Sequence, residues 1–155
     1  MDLSTPQVMG ILNVTPDSFY SGSRKQTEEE IAARANQIIE EGGSIIDVGA
    51  FSTRPGADEV SEEEEGRRLK FALDIVHREQ PDAAISVDTY RPTLARKCIE
   101  EWGADIINDV SEGGITGIAN VPLEQREEEY PEMFRLVGEL KVPYILMSVQ
   151  LRLPR

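Results

Sequence analysis

Apolar and polar positions along this chain fall into blocks. Short apolar runs at residues 8–12, 45–48, 84–87, 105–107 and 144–147 are separated by longer stretches with helical spacing. Runs this short and this largely apolar predict strands covered on both faces, as in a parallel sheet. Between them, Thr27 and Glu30 read as a capping box, and Ile31, Ala35, Ile38 and Ile39 follow on one helical face. Gly42-Gly43 ends that helix. Ser61 with Glu64 caps a second helix bearing Leu69, Ala72, Leu73 and Val76 inward. Pro92 suits the first turn of a third, which carries Leu94, Cys98, Ile99 and Trp102 and closes at Gly103. Residues 131–140 predict a fourth helix before the last strand.

Strand alternating with helix predicts an α/β fold, either a doubly wound sheet or a TIM (β/α)8 barrel. The polar residues decide between them. Asn13, the segment 52–56, Asp88 and Asn108 stand at or just after the carboxyl ends of four successive strands. A barrel delivers polar groups to one rim from strand after strand, whereas a doubly wound sheet gathers them at its switch point. The expectation is therefore a single partial barrel domain over residues 1–155, with only the first five strands present. Residues 111–130 have neither period and exceed the usual βα connection, so they read as an insertion or a lid loop.

Composition narrows the function. The 155 residues carry a net charge of −13 with a pI near 4.5, which argues against nucleic acid and anionic membrane surfaces as partners. The acidic runs 28–30, 62–65 and 127–129 read as solvated faces or helix starts. Cys98 is the only cysteine, so no internal disulfide and no Cys/His metal site is expected. Neither a signal peptide nor a membrane-spanning stretch is visible, and the chain reads as cytoplasmic.

The candidate chemistry lies in four segments. Gly10–Phe19 places an Asn, a Thr, an Asp and a Ser at the exit of the first strand, which suits a metal or anion site as well as a plain polar turn. In Asp47–Gly56, Asp47 is a charge inside an apolar strand, costly unless paired. Arg54 beside Thr53 offers a planar fork for phosphate oxygens, or a surface pair with Asp58 or Glu59. Asp88 can accept two N–H groups from a flat heterocycle, and Asn108 can both donate and accept. A helix N-cap at Asp88 and a turn at Asn108-Asp109 are the plainer alternatives. His77, the only histidine, lies near a helix end and is given no role.

Together Gly10–Phe19, Asp47–Gly56, Ser86–Thr89 and Ile107–Val110 resemble the dihydropteroate synthase family over residues 8–150. That family condenses 6-hydroxymethyl-7,8-dihydropterin diphosphate with 4-aminobenzoate, releases diphosphate and requires Mg²⁺. The resemblance implies that Asn13 binds the metal and that Thr53 and Arg54 meet the diphosphate. It implies that Asp88 and Asn108 bind the pterin, with Met147 lining the same pocket. Asp17 would lie on the first loop, and Phe19 and Pro55 would wall the aminobenzoate, where sulfonamides compete. A homodimer is implied at full length.

Two departures follow from the same comparison. The family barrel has eight strands and this chain supplies five, so the later strands' pterin and diphosphate residues are not among these 155. Ser148 stands where many members carry His, and residues 151–155 do not resemble the family's continuation. The chain by itself is therefore expected to be inactive. Two alternatives remain: a methyltetrahydrofolate–corrinoid methyltransferase type of pterin-binding domain, which shares the Asp and Asn but not the first two motifs, and a non-catalytic barrel fragment.

Overall fold

The computed structural model describes residues 4–14, 24–50, 60–111, 113 and 131–147. The described strands and helices alternate: β1 (Met9–Asn13), α1 (Arg24–Glu40), β2 (Ile45–Gly49), α2 (Glu62–Glu79), β3 (Ala84–Asp88), α3 (Pro92–Glu100), β4 (Ile106–Asp109), α4 (Glu132–Leu140) and β5 (Tyr144–Leu146). All five strands are parallel and lie in the order β1-β2-β3-β4-β5. A doubly wound sheet reverses its order at a switch point, and this one does not. Each strand passes through one helix to its immediate neighbour, which is the habit of a (β/α)8 barrel, here with the sheet left open.

The helices share one face. Leu12, Ile46, Val48, Ile85, Val87 and Ile107 point towards them and pack with Ile31, Ala35, Leu69, Leu73, Val76, Leu94 and Cys98 in the core. Gly10 is part of that contact, because a Cβ there would stand 2.4 Å from Ile38 Cγ2 on α1. By strand alternation Met9, Ile11 and Asn13 face the opposite, concave side. Ile11 is accordingly 55% exposed.

Local signals set most element ends. Ser61 Oγ accepts from Glu64 N at 3.2 Å and starts α2 as the sequence predicts. Glu64 does not return the bond; its carboxylate holds Arg67 and Arg68 instead. Gly42, with φ of +95°, ends α1 with paired bonds from Gly42 N to Ile39 O and from Gly43 N to Ile38 O. That pair is the Schellman arrangement, which glycine reaches without steric cost.

The capping box at Thr27 is a correction. The helix begins three residues earlier, at Arg24, and Thr27 is buried inside it. Burial within the helix outweighs the weak preference of Thr for a helix end. The expected insertion or lid at 111–130 lies outside the described residues except for Ser111 and Gly113, as do the loops carrying Asp17, Phe19, Thr53, Arg54 and Pro55.

The two edge strands are apolar. Val8 is 61% exposed beside β1, and Leu146 and Met147 are about half exposed at β5. Edges of this kind pair with other chains unless charge or proline discourages them. The 155-residue chain expressed alone is expected to associate in a concentration-dependent way, and Val8→Lys to reduce that association. Sedimentation velocity over a dilution series checks this; a monomer at every concentration would contradict it.

Candidate functional site

Residues opposite one another in a parallel sheet point to the same face, so the register defines the site. One row across the concave side reads Asn13, Gly49, Asp88, Asn108 and Ile145. The row beneath it reads Ile11, Asp47, Ser86 and Ile106. Asn13, Asp88 and Asn108, three of the sequence-predicted residues, are thus on one face at one level, and Asp88 and Asn108 are direct neighbours. Met147 follows β5 at the same end, its N–H donating to Asp109 O at 3.2 Å. Thr53, Arg54, Pro55, Asp17 and Phe19 lie outside the described residues, so the anion and aminobenzoate ends of the expected site have no geometry here.

Gly49 is needed where it stands. A Cβ at this position would meet Asn13 Oδ1 at 2.9 Å and Asp88 Oδ2 at 3.5 Å. Asn13 and Asp88 therefore lean over the same notch from either side, and a side chain there would push Asn13 away. Both groups offer hard oxygen atoms, the donor type that Mg²⁺ takes. Among the described residues no group of three or more His, Cys, Asp or Glu could hold a metal ion. Asn13 could supply one ligand of an ion whose other ligands come from a bound anion and water.

Beneath this row the polar groups are buried and only partly matched. Asn108 Nδ2 donates to Asp47 Oδ2 at 3.0 Å. Asp47 Oδ1, Ser86 Oγ and Asn108 Oδ1 are buried without a hydrogen bond of ordinary geometry. Burial pushes the Asp47 carboxyl above its usual range, and the nearby Ser86 hydroxyl and the Asn108 amide hold it back. Asp88 is pushed up to about 7, first by burial and then by the carboxylates of Asp47, Glu65 and Asp109. Unpaired buried acceptors are uncommon in folded proteins, and each needs a reason. Asn108 Oδ1, level with Asp88, is the acceptor to which the N–H edge of a flat heterocycle would supply the missing donor.

Both plainer alternatives for these residues fail. Asp88 does not cap α3, whose N-cap is Arg91. Asn108-Asp109 is not a turn, because both residues belong to β4 and point to opposite faces. Asp109 is fully buried on the helix side and accepts from Ser111 N (2.7 Å), Ser111 Oγ (2.6 Å), Gly113 N (2.9 Å) and Tyr144 Oη (2.7 Å). It anchors the start of the long connection after β4 to β5.

The sequence reading missed one supporting cluster. Glu65 belongs to an acidic run expected to be solvated, yet it is 0% exposed. It accepts from Thr89 Oγ1 at 2.7 Å and pairs with Arg91, whose Nη2 donates to Val60 O at 2.7 Å. Thr89 Oγ1 in turn accepts from Arg91 N at 3.2 Å. The network braces the turn that follows Asp88. The available signal was period: residues 65, 69, 72, 73 and 76 share the inward face of α2, and Glu65 is the first of them.

Comparison with known proteins shows the family and the fold. The family described as pterin binding enzyme matches residues 9–154. A dihydropteroate synthase of Streptococcus pyogenes is 41% identical over 143 residues, covering 92% of this chain and 48% of that protein. A mitochondrial folate synthesis bifunctional protein of Arabidopsis thaliana is also 41% identical, over 145 residues, covering 92% of this chain and 24% of its own length. The structure of Xanthomonas albilineans dihydropteroate synthase with 4-aminobenzoic acid superposes with a TM-score of 0.75 at 36% identity, covering 99% of this chain and 50% of that one. The chain thus spans half or less of the length of these relatives.

Proposed function

Given that this chain belongs to the pterin-binding enzyme family, we propose that it forms the pterin-binding part of a dihydropteroate synthase acting in folate biosynthesis. The observation that carries the reading is the placement of Asp88 and Asn108 as neighbours on the concave face, with Asn108 Oδ1 a buried acceptor that has no donor. In this reading Asp88 accepts two N–H groups of a dihydropterin and Asn108 accepts a third. Met147 lies along the ring. Thr53 and Arg54 hold the diphosphate, Asp17 serves the first loop, and Phe19 and Pro55 wall 4-aminobenzoate, the place where sulfonamides would compete. Arg54 neutralises charge on the departing diphosphate, where an electrostatic contribution lowers the barrier most.

Asn13 would hold Mg²⁺ through Oδ1, and the hard-oxygen character of the notch it shares with Asp88 fits that ion. When bound, the metal would supply charge neutralisation at the diphosphate. The remaining work of these residues is binding and orientation: the floor fixes the ring so that its exocyclic carbon faces the incoming amine. The reading carries with it a cytoplasmic setting, small-molecule partners without nucleic acid, and a homodimer for the full-length enzyme. No helix among the described residues is long and apolar enough to cross a membrane.

Asp88→Ala is expected to weaken pterin binding by about 1.5–3 kcal/mol, the range for hydrogen bonds to a charged group. Isothermal titration with 6-hydroxymethylpterin measures it. Unchanged affinity would remove Asp88 from the site and the reading with it.

A further inference from the structure

A side-chain amide has a donor end and an acceptor end, and the structure shows what decides which end of Asn108 the concave face receives. Asn108 Nδ2 donates to Asp47 Oδ2 at 3.0 Å, and the two residues are 5% and 3% exposed. A carboxylate only accepts. Turned over, the amide would set Asn108 Oδ1 against Asp47 Oδ2 with no proton between them. Asp47 thus takes one of the two Nδ2 protons and fixes the amide's sense, and Oδ1 is left as a buried acceptor without a partner. Asp88, next to Asn108 in the register, adds further acceptors at the same level.

We propose that Asp47 is a positioning residue that locks the Asn108 amide with its acceptor towards the ligand, and so makes the site select heterocycles presenting N–H groups at that edge. The inference rests on the reading of this face as a pterin floor. It assigns Asp47 a role in specificity rather than in contact with the ring. A ring with a carbonyl at the same edge would bring oxygen against oxygen, and a polar site discriminates strongly against such a mismatch. β3 lies between β2 and β4, so the register fixes the distance between the two backbones.

The test compares two fluorescent probes on the chain: 6-hydroxymethylpterin, and its 2,4-dioxo counterpart with a carbonyl in place of the 2-amino group. The unaltered chain is expected to prefer the amino compound by about tenfold or more. In Asp47→Asn an amide faces Asn108, either orientation can be satisfied, and the preference is expected to fall about fivefold or more. Combining Asp47→Asn with Asn108→Asp restores an acceptor-only group at 108, and the preference should return even if both probes bind more weakly. A preference unchanged in Asp47→Asn overturns the proposal, provided thermal melting shows the variant folded. A second measurement stands apart from any ligand. In asparagine-labelled chain the Asn108 amide should show one downfield, slowly exchanging proton, which moves upfield or exchanges faster in Asp47→Asn. Two protons at the ordinary shifts and exchange rates of an exposed asparagine in the unaltered chain would also overturn the proposal. Failure of both probes to bind the unaltered chain, with the locked amide observed, would instead count against the pterin reading and leave the lock supported.

Discussion

Asp88→Asn is expected to stabilise the folded chain at and above neutral pH while leaving it unchanged in acid. The folded carboxyl titrates at about 7 against an ordinary value of 3.8. Below the lower value both folded and unfolded states are protonated, and the residue contributes nothing to pH dependence. Between the two values the folded state holds a proton that the unfolded state has released, so stability falls as pH rises. Above the upper value the whole cost of a buried charge, packed also near Asp47, Glu65 and Asp109, is present. At roughly 1.4 kcal/mol per unit, the cost reaches about 4 kcal/mol as an upper bound. Asparagine has no such charge, so the variant should lose the slope. Denaturant melts at acid, mildly acid and alkaline pH would give diverging stabilities for the two proteins; parallel curves would show that the Asp88 environment does not oppose its charge. The same substitution should weaken pterin binding, because it replaces a carboxylate that accepts two N–H groups with an amide that offers one oxygen. Gain in stability with loss of binding is the pattern expected where a site holds charge for function.

Arg91→Met is expected to destabilise the fold by about 3–5 kcal/mol, the usual cost of removing one partner from a buried ion pair. Glu65 would keep only the Thr89 hydroxyl, and Val60 O would lose the Arg91 Nη2 donor. Burial already pushes Glu65 above its ordinary range even with Arg91 beside it. Removing the charge on both sides, with Glu65→Leu added, should recover at least half of the loss, because an apolar pair of similar volume often replaces a buried ion pair at little cost. Urea melts of the two variants decide the matter. A loss below about 1 kcal/mol in Arg91→Met would mean that water reaches Glu65 and that the pair resembles a surface one.

These two residues mark different limits of legibility. Asp88 was readable because an acidic residue closing an apolar run leaves few bland explanations, and the polar positions at the ends of successive strands pointed to one rim. Arg91 and Glu65 were not readable. Four consecutive glutamates look alike in a sequence, and only the helical phase of α2 against the sheet turns one of them inward. Thr27 erred the other way: its side chain resembles a cap, yet α1 starts earlier and buries it.

The sequence by itself determined the class of the fold and the order of its elements, because hydrophobic period, capping residues and glycine stops are local and each acts within a few positions. It also determined that Asn13, Asp88 and Asn108 belong to strand ends. The tertiary structure decided what those residues face. Parallel register put Asn13, Gly49, Asp88 and Asn108 in one row, and alternation sent Asp109 to the other side. Register also set Asp47 one row below, close enough to hold the Asn108 amide. Contacts between residues 61 positions apart depend on how three strands align, and no local pattern records that alignment.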